Sequence, residues 1–227
     1  MGKVIIMPET VKDPISLIGR CAGVCWGANI ENEAKNYIRG IDCITSDHGR
    51  TLEFPDIYAI LDGYSARVIR EWYTHIGGAP TRLQASTRYI DYNTFAYVVP
   101  PKIEANEEAK KLYIDTMKYI SDACTTMEKK LQIPREDVGM LLPLGMETKI
   151  VDKRNSRNVM DMSHQRMCNR AYHEFRKLFK DYITALSEYS NEWNELVKMT
   201  MMPKCMVVGY CKEKKSCGMM PKKEVLK

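Results

Sequence analysis

Residues 65–92 read SARVIREWYTHIGGAPTRLQASTRYIDY. Ser65 is a suitable N-cap for a helix over residues 66–73, because its hydroxyl can accept a hydrogen bond from a free amide of the first turn. The glycine pair at residues 77–78 then ends the helix and opens a loop. This stretch therefore predicts a short amphipathic helix followed by a glycine-rich loop.

Longer helices are expected on the C-terminal side of this stretch. Apolar residues recur at helical spacing over residues 104–131 and 154–189. Residues 51–61 and 95–99 have the partial alternation or β-rich composition typical of strands. Because strands and helices do not alternate regularly, we expect an α+β fold with a small mixed sheet and long helices.

The composition is that of an ordinary folded chain. The 227 residues are 44% hydrophobic and 28% charged, and no apolar run approaches the ~18 residues that a membrane helix needs. We expect residues 1–227 to form a single cytoplasmic domain, with a cysteine- and lysine-rich tail at residues 205–227. The net charge of +5 is small and, outside the lysine-rich tail, dispersed, so neither nucleic acid nor membrane is an expected partner.

Basic residues around the glycine pair suit a phosphate group. Arg70, Arg82 and Arg88 flank the loop, and Ser86 lies two residues before Arg88. Arginine can bind phosphate through two parallel hydrogen bonds, and glycines let backbone amides approach an anion. A solvated surface loop is the alternative interpretation of the same residues.

A second polar segment begins at Asn155. At helical spacing, Asn155 and Arg166 lie within one broad face, and Arg157 and Asp161 share a neighbouring one. This arrangement suits contacts with a ligand along the helix. The alternative is an exposed ion pair between Arg157 and Asp161, worth only ~0.3–0.5 kcal/mol.

Together, the two segments resemble the flavin-dependent thymidylate synthase family. The family motif reads Arg-His-Arg, seven residues, then Ser, and it ends in Ser-x-Arg-Tyr. Here residues 74–76 read Thr-His-Ile, and residues 86–89 read Ser-Thr-Arg-Tyr. Residues 168–176, CNRAYHEFR, are similar to the family's Cys-x-Arg-Ala-Gln-Trp-Glu-Ile-Arg. The resemblance extends over residues 21–217.

This resemblance implies a homotetramer whose active sites are built from several subunits. It implies that FAD is the cofactor, that NADPH is the reductant, and that methylenetetrahydrofolate donates a one-carbon unit. The implied activity is methylation of dUMP at C5 to give dTMP, by a flavin-dependent thymidylate synthase-type methyltransferase. It implies catalytic roles for Ser86 and Arg166, nucleotide contacts for Ser86, Arg88, Gln84, Glu71 and Arg166, and FAD contacts for Thr74, His75, Ile76, Asn155, Arg157 and Asp161.

The chain departs from the family at several of these positions. Thr74 and Ile76 replace both arginines of the triplet, and Gly139 stands where an arginine binds the nucleotide. The loop between the triplet and Ser86 is two residues longer than in the family motif, and we expect Arg82, in this inserted loop, to replace a missing nucleotide arginine. Fewer cations near the flavin would stabilise its anionic reduced form less. There are three alternatives to methylation of dUMP: the protein hydroxymethylates dUMP at C5, it methylates UMP, or it is an inactive homologue that binds a nucleotide.

Four cysteines form the last candidate site. Cys205, Cys211 and Cys217 recur every six residues, and Cys168 offers a fourth thiol. Four thiolates can hold zinc tetrahedrally, although ligand pairs two to four residues apart are more typical of zinc sites. Free thiols are therefore the favoured interpretation, no metal is expected, and zinc is the alternative.

Overall fold

A small sheet runs through a mainly helical chain. The computed structural model describes residues 2–223, so residues 224–227 of the predicted tail lie outside the described residues. The mixture of strands and helices confirms the predicted α+β class. The strands are β1 (Lys3–Ile6), β2 (Asp56–Ser65), β3 (Thr81–Gln84) and β4 (Glu147–Asn155).

These four strands form one sheet in the order β1-β2-β4-β3. Within the described residues, no helix is both long enough and apolar enough to cross a membrane. The helices are α1 (Pro14–Cys25), α2 (Glu33–Thr45), α3 (Ala66–Trp72), α4 (Pro101–Glu104), α5 (Glu107–Thr125), α6 (Arg135–Val138), α7 (Ser156–Arg166), α8 (His173–Tyr189), α9 (Asn191–Thr200) and α10 (Lys204–Val208).

The described residues divide into two compact units. The expectation of a single domain stays a prediction. The first unit contains residues 2–3, Leu61–Thr74 and Leu83–Val151, and the second contains Val4–Ile60, His75–Arg82 and residues 152–223.

In the first unit, side-chain caps set the starts of two helices. Ser65 Oγ accepts a hydrogen bond from Val68 N at 3.1 Å, which confirms the predicted N-cap of α3. Asn106 Oδ1 accepts one from Ala109 N at 2.9 Å, so α5 begins after Asn106. The α-helix predicted over residues 104–131 is therefore shorter than predicted: it spans Glu107–Thr125 and is followed by a π-helical turn over Thr126–Lys130.

The buried centre of the first unit includes Phe95, Met117 and Met146. The strand predicted over residues 95–99 is wrong. Within the described residues, this segment makes an isolated bridge between Tyr97 and Met146 instead of a strand. Two backbone hydrogen bonds, from Glu147 N to the Ala96 carbonyl oxygen at 2.8 Å and from Val98 N to the Gly145 carbonyl oxygen at 2.9 Å, hold this segment together with the apolar packing of Phe95.

In the second unit, α1 is a helix that the sequence pattern did not predict. A β-carbon at Gly19 would lie 1.8 Å from the Asn36 carbonyl oxygen, and one at Gly40 would lie 2.0 Å from the Ile15 carbonyl oxygen. The two glycines therefore allow the α1 and α2 backbones to touch. Each costs ~1 kcal/mol of helix propensity relative to alanine, and close helix packing offsets that cost.

The single long helix predicted over residues 154–189 is wrong. Its first residues complete β4, and the rest form α7 and α8 with a break after Arg166. Asn155 marks the change from strand to helix, because its Oδ1 accepts a hydrogen bond from Asn158 N at 2.9 Å. The cap fixes the direction in which α7 leaves the sheet.

A buried ion pair lies beneath the start of α7. Arg154 Nε and Nη2 donate to the two carboxylate oxygens of Asp152 at 2.5 and 2.7 Å. Arg154 Nη1 donates to Asn158 Oδ1 at 2.5 Å. Arg154 is 1% exposed and Asp152 is 0% exposed. Because water is excluded, these hydrogen bonds must stabilise both charges.

Candidate active site

A cleft of about 310 Å³ opens beside the first half of α7. Asn155, Arg157 and Asp161 line it, so three of the residues predicted to contact FAD lie together. The other lining residues are Gly49, Arg50, Glu53, Gly77, Gly78 and Asn158.

Two glycines bring other segments against α7 and its cap. Gly78 has a φ of +70°, and a β-carbon there would lie 2.5 Å from Asn155 Nδ2. A β-carbon at Gly49 would lie 1.8 Å from Arg157 Nη1. Glycine at both positions therefore lets backbone border the cleft directly.

The cleft carries charges of both signs. Arg157 Nε donates to Asp161 Oδ2 at 3.3 Å, so the pair considered from the sequence does form. Arg50 and Glu53 add one charge of each sign from the 3-10 turn Gly49–Glu53. Sequence reasoning missed this turn, because nothing local to it indicates that it packs against α7.

Arg166, in the last turn of α7, contacts two residues from distant segments. Its Nε donates to His75 Nε2 at 2.9 Å, and its guanidinium carbon lies 4.4 Å from the centroid of the Phe175 ring. Burial, with the charges of Arg166 and Arg154, lowers the pKa of His75 to about 4. His75 is therefore neutral near pH 7 and can accept the hydrogen bond from Arg166.

We expect His75 to make the stability of the fold depend on pH. The unfolded histidine takes up a proton as the pH falls through 6.5, whereas the folded one stays neutral down to about 4. The contribution of neutral His75 is therefore complete above pH 6.5 and is lost progressively as the pH falls toward 4. The His75→Gln variant does not titrate, so it should lose less unfolding free energy in this window. Urea unfolding at about pH 7, 6 and 5 measures this difference; parallel pH dependences would contradict it.

Ser86 and Arg88 lie in the first unit, just after β3. Ser86 Oγ accepts a hydrogen bond from Arg88 N at 3.2 Å. Arg88 Nε donates to Glu136 Oε2 at 3.0 Å, and both side chains are more than half exposed. Such an exposed pair is worth only ~0–1 kcal/mol, so Arg88 can exchange the carboxylate for a phosphate at little cost.

Gln84 and Arg82 belong to β3. Gln84 Nε2 donates to Thr148 Oγ1 at 3.4 Å. Arg82 lies in this strand and not in the loop predicted from the sequence. A β-carbon at Gly139 would lie 3.5 Å from Thr87 Cβ, so the position of the missing arginine adjoins the segment that carries Ser86 and Arg88.

Glu71 lies in the last turn of α3, and Thr74, His75 and Ile76 follow the end of this helix. Thr74 Oγ1 donates to the Glu71 carbonyl oxygen at 2.7 Å. Ile76 is 70% exposed. The structure therefore groups His75 with Arg166, while its neighbour Ile76 faces solvent.

Comparison with known proteins identifies the family. A family model described as "Thymidylate synthase complementing protein" matches residues 7–189. The chain belongs to this family. Relatives are named flavin-dependent thymidylate synthase, which confirms the resemblance predicted from the motifs.

The relative from Clostridium tetani is 26% identical, and the alignment covers 96% of this chain and 94% of that protein. The relative from Nitratidesulfovibrio vulgaris is also 26% identical, over 78% of this chain and 74% of that protein.

Solved structures share the fold of this flavin-dependent thymidylate synthase family member. Thymidylate Synthase X from Helicobacter pylori, solved with FAD and dUMP, aligns with a TM-score of 0.65 at 17% identity. The alignment covers 87% of this chain and 100% of that one. The predicted family fold is therefore confirmed.

Proposed function

We propose that the protein methylates dUMP at C5 to give dTMP, with FAD as cofactor, methylenetetrahydrofolate as one-carbon donor and NADPH as reductant. The family match over residues 7–189 carries this proposal, because it includes both arginine-bearing segments. The names of the relatives, and the FAD and dUMP bound to the Helicobacter pylori enzyme, support it. The motif resemblance supports a cytoplasmic homotetramer with shared active sites.

The residues that border the glycine-lined cleft suit the phosphates of a flavin nucleotide. Only glycine allows residue 78 to approach Asn155 so closely, and its peptide groups then border the cleft beside Arg157. Backbone amides and guanidinium groups are suitable partners for a pyrophosphate. We propose that Asn155, Arg157 and Asp161 hold FAD here, with Thr74, His75 and Ile76 as the further contacts expected from the motif. When bound, FAD supplies the two-electron carrier between NADPH and the one-carbon unit.

The nucleotide needs a phosphate anchor and a cation beside the uracil ring. We assign the phosphate to Ser86 and Arg88, with Gln84, Glu71 and Arg82 as further nucleotide contacts. We assign the ring to Arg166. The guanidinium of Arg166 can stabilise the negative charge that builds on the ring as C5 becomes nucleophilic. Neutral His75 and the Phe175 ring hold that guanidinium in place before the substrate arrives.

We expect Arg88→Ala to weaken dUMP binding by about 10- to 100-fold, because a hydrogen bond to a charged group contributes ~1.5–3 kcal/mol. Glu136→Gln is the matched control, since it removes the carboxylate that competes for Arg88. This control should bind dUMP at least as tightly as the unmodified protein. Calorimetric titration with dUMP measures both variants. An Arg88→Ala affinity within about twofold of the unmodified value would remove the assignment.

We expect Gly78→Ala to weaken FAD binding about tenfold or more, because the new methyl group would push the Asn155 side chain out of place. A loss of ~1.4 kcal/mol in binding free energy is enough for a tenfold change. The control is Gly27→Ala. Gly27 also has a positive φ, +59°, but no atom lies within 4 Å of a β-carbon there. Alanine at either position is strained by the positive φ, but only alanine at position 78 also collides with a residue that lines the cleft. Flavin fluorescence titration compares them; equal losses of affinity would show that strain alone is responsible.

Mass spectrometry tests the reaction itself. The full-length protein is incubated with FAD, NADPH, methylenetetrahydrofolate and either dUMP or UMP, in water labelled with heavy oxygen. Formation of dTMP without labelled oxygen supports the proposal. A hydroxymethyl product containing labelled oxygen, or methylation of UMP alone, would replace it with the corresponding alternative. Absence of any product from a protein that binds dUMP would indicate the inactive homologue.

A further inference from the structure

A cavity of about 460 Å³ lies at the C-terminal end of α7, and four free cysteines line it. Cys168 follows α7, Cys205 lies in α10, and Cys211 and Cys217 lie in the segment after α10. All four belong to the second unit, so one compact part of the chain supplies the whole set.

Turns in the tail bring the last two thiols to this cavity. Gly209 ends α10 with a φ of +78°, and Gly218, with a φ of +88°, directly follows Cys217. Cys211 N donates to the Pro221 carbonyl oxygen at 2.7 Å, which closes the loop between them.

The tail has little apolar packing of its own. Of the described residues 204–223, Cys211 alone is buried, while Met206, Val207 and Met219 are exposed. Small segments with so few buried side chains are commonly held by disulfides or by a structural metal. All eight cysteines of the chain are free, so disulfides do not supply this support.

The charged residues around the cavity suit an anionic metal centre. Arg166, Arg170, Lys204 and Lys212 line it, and Glu213 is the single carboxylate among the described lining residues. Arg170 already pairs with Glu213 at 3.4 Å. A zinc ion bound by four thiolates carries about two net negative charges, which the cations of Arg170, Lys204 and Lys212 stabilise.

We propose that Cys168, Cys205, Cys211 and Cys217 bind one structural Zn²⁺ ion. Four thiolates close the tetrahedral coordination of zinc and leave no open position, which is typical of a structural site. Among residues 2–223, no three His, Cys, Asp or Glu side chains are already placed to hold a metal ion. The thiols therefore have to rotate into the cavity as the ion binds, releasing their protons to solvent.

Zinc at this position would tie the tail to the end of α7. Cys168 lies two residues after Arg166, and the Arg166 side chain borders the same cavity. Holding Cys168 would fix the last turn of α7. The ion would therefore act as a positioning element for Arg166 and would take no part in the chemistry.

Metal analysis of the full-length protein, expressed with zinc supplied and purified under reducing conditions, tests this proposal. We expect about one zinc per chain in the unmodified protein and in the control Cys25→Ser, whose cysteine is exposed in α1. Cys211→Ser and Cys217→Ser should lose most of the zinc on dialysis against EDTA. Cys217 is exposed, so its variant should fold even if Cys211→Ser does not. Replacement of zinc by Co²⁺ should give the visible bands of tetrahedral sulfur coordination.

Several outcomes would overturn the assignment. Unmodified protein that contains no zinc after expression with zinc supplied would exclude the site. A disulfide between any two of the four, or iron with inorganic sulfide in their place, would also exclude it. Zinc content is read without substrate, so a failure to form dTMP leaves this test unaffected.

Discussion

Replacing Arg166 with glutamine should lower kcat for thymidylate formation by about 10²–10³-fold, the usual loss when one donor to a developing negative charge is removed. Arg166 is oriented before substrate binds, because its Nε donates to neutral His75 and its guanidinium stacks on Phe175. Glutamine keeps much of the length but carries no positive charge. The loss should therefore appear in kcat more than in the affinity for dUMP.

Lys177→Gln is the matched control for this charge removal. Lys177 lies on α8, the helix that carries Phe175, and pairs with Asp181 on the same helix. Its replacement should leave kcat within about twofold of the unmodified value. Steady-state rates for both variants, measured on protein saturated with FAD, make the comparison. Equal rates for Arg166→Gln and Lys177→Gln would show that Arg166 has no role in turnover.

Asp152→Ala should lower the free energy of unfolding by ~3–5 kcal/mol, because it removes the carboxylate that accepts two hydrogen bonds from a buried guanidinium. Arg154 and Asp152 are 1% and 0% exposed, and two hydrogen bonds of 2.5 and 2.7 Å join them. Loss of Asp152 should also loosen the start of α7, since Arg154 donates to Asn158. Cofactor binding should weaken in parallel with stability.

An exposed ion pair provides the control for this substitution. Lys118 and Asp122 pair at 2.6 Å with side chains 74% and 64% exposed. Asp122→Ala should change stability by less than ~0.5 kcal/mol, because solvent already screens the pair. Urea unfolding of both variants gives the two free energies. A loss below ~1 kcal/mol for Asp152→Ala would contradict the argument that burial makes this pair costly to break.

Local chemistry predicted the start of α3 correctly. Ser65 caps α3 as expected from the sequence. Such a cap depends on a side chain and amides only three residues away, so sequence neighbours contain the whole interaction. The short glycine-rich loop after α3 follows from the same kind of local signal.

Long-range packing explains the predictions that were wrong. Residues 154 and 155 continue β4, although the helical pattern includes them, because β4 lies between β2 and β3 in the sheet. The helix α1 was missed because Gly19 weakens its local signal, whereas that glycine allows close contact with α2. In each case a partner distant in sequence outweighed local propensity.

The sequence by itself determined the family and the chemical groups available to it, because motifs such as Ser86-Thr87-Arg88-Tyr89 are local patterns of residue types. Only the tertiary structure decided which groups meet. It places His75 against Arg166 and Gly78 against Asn155. These partners lie far apart in the chain, and the packing of whole helices and loops selects them, so no short stretch of sequence contains the information.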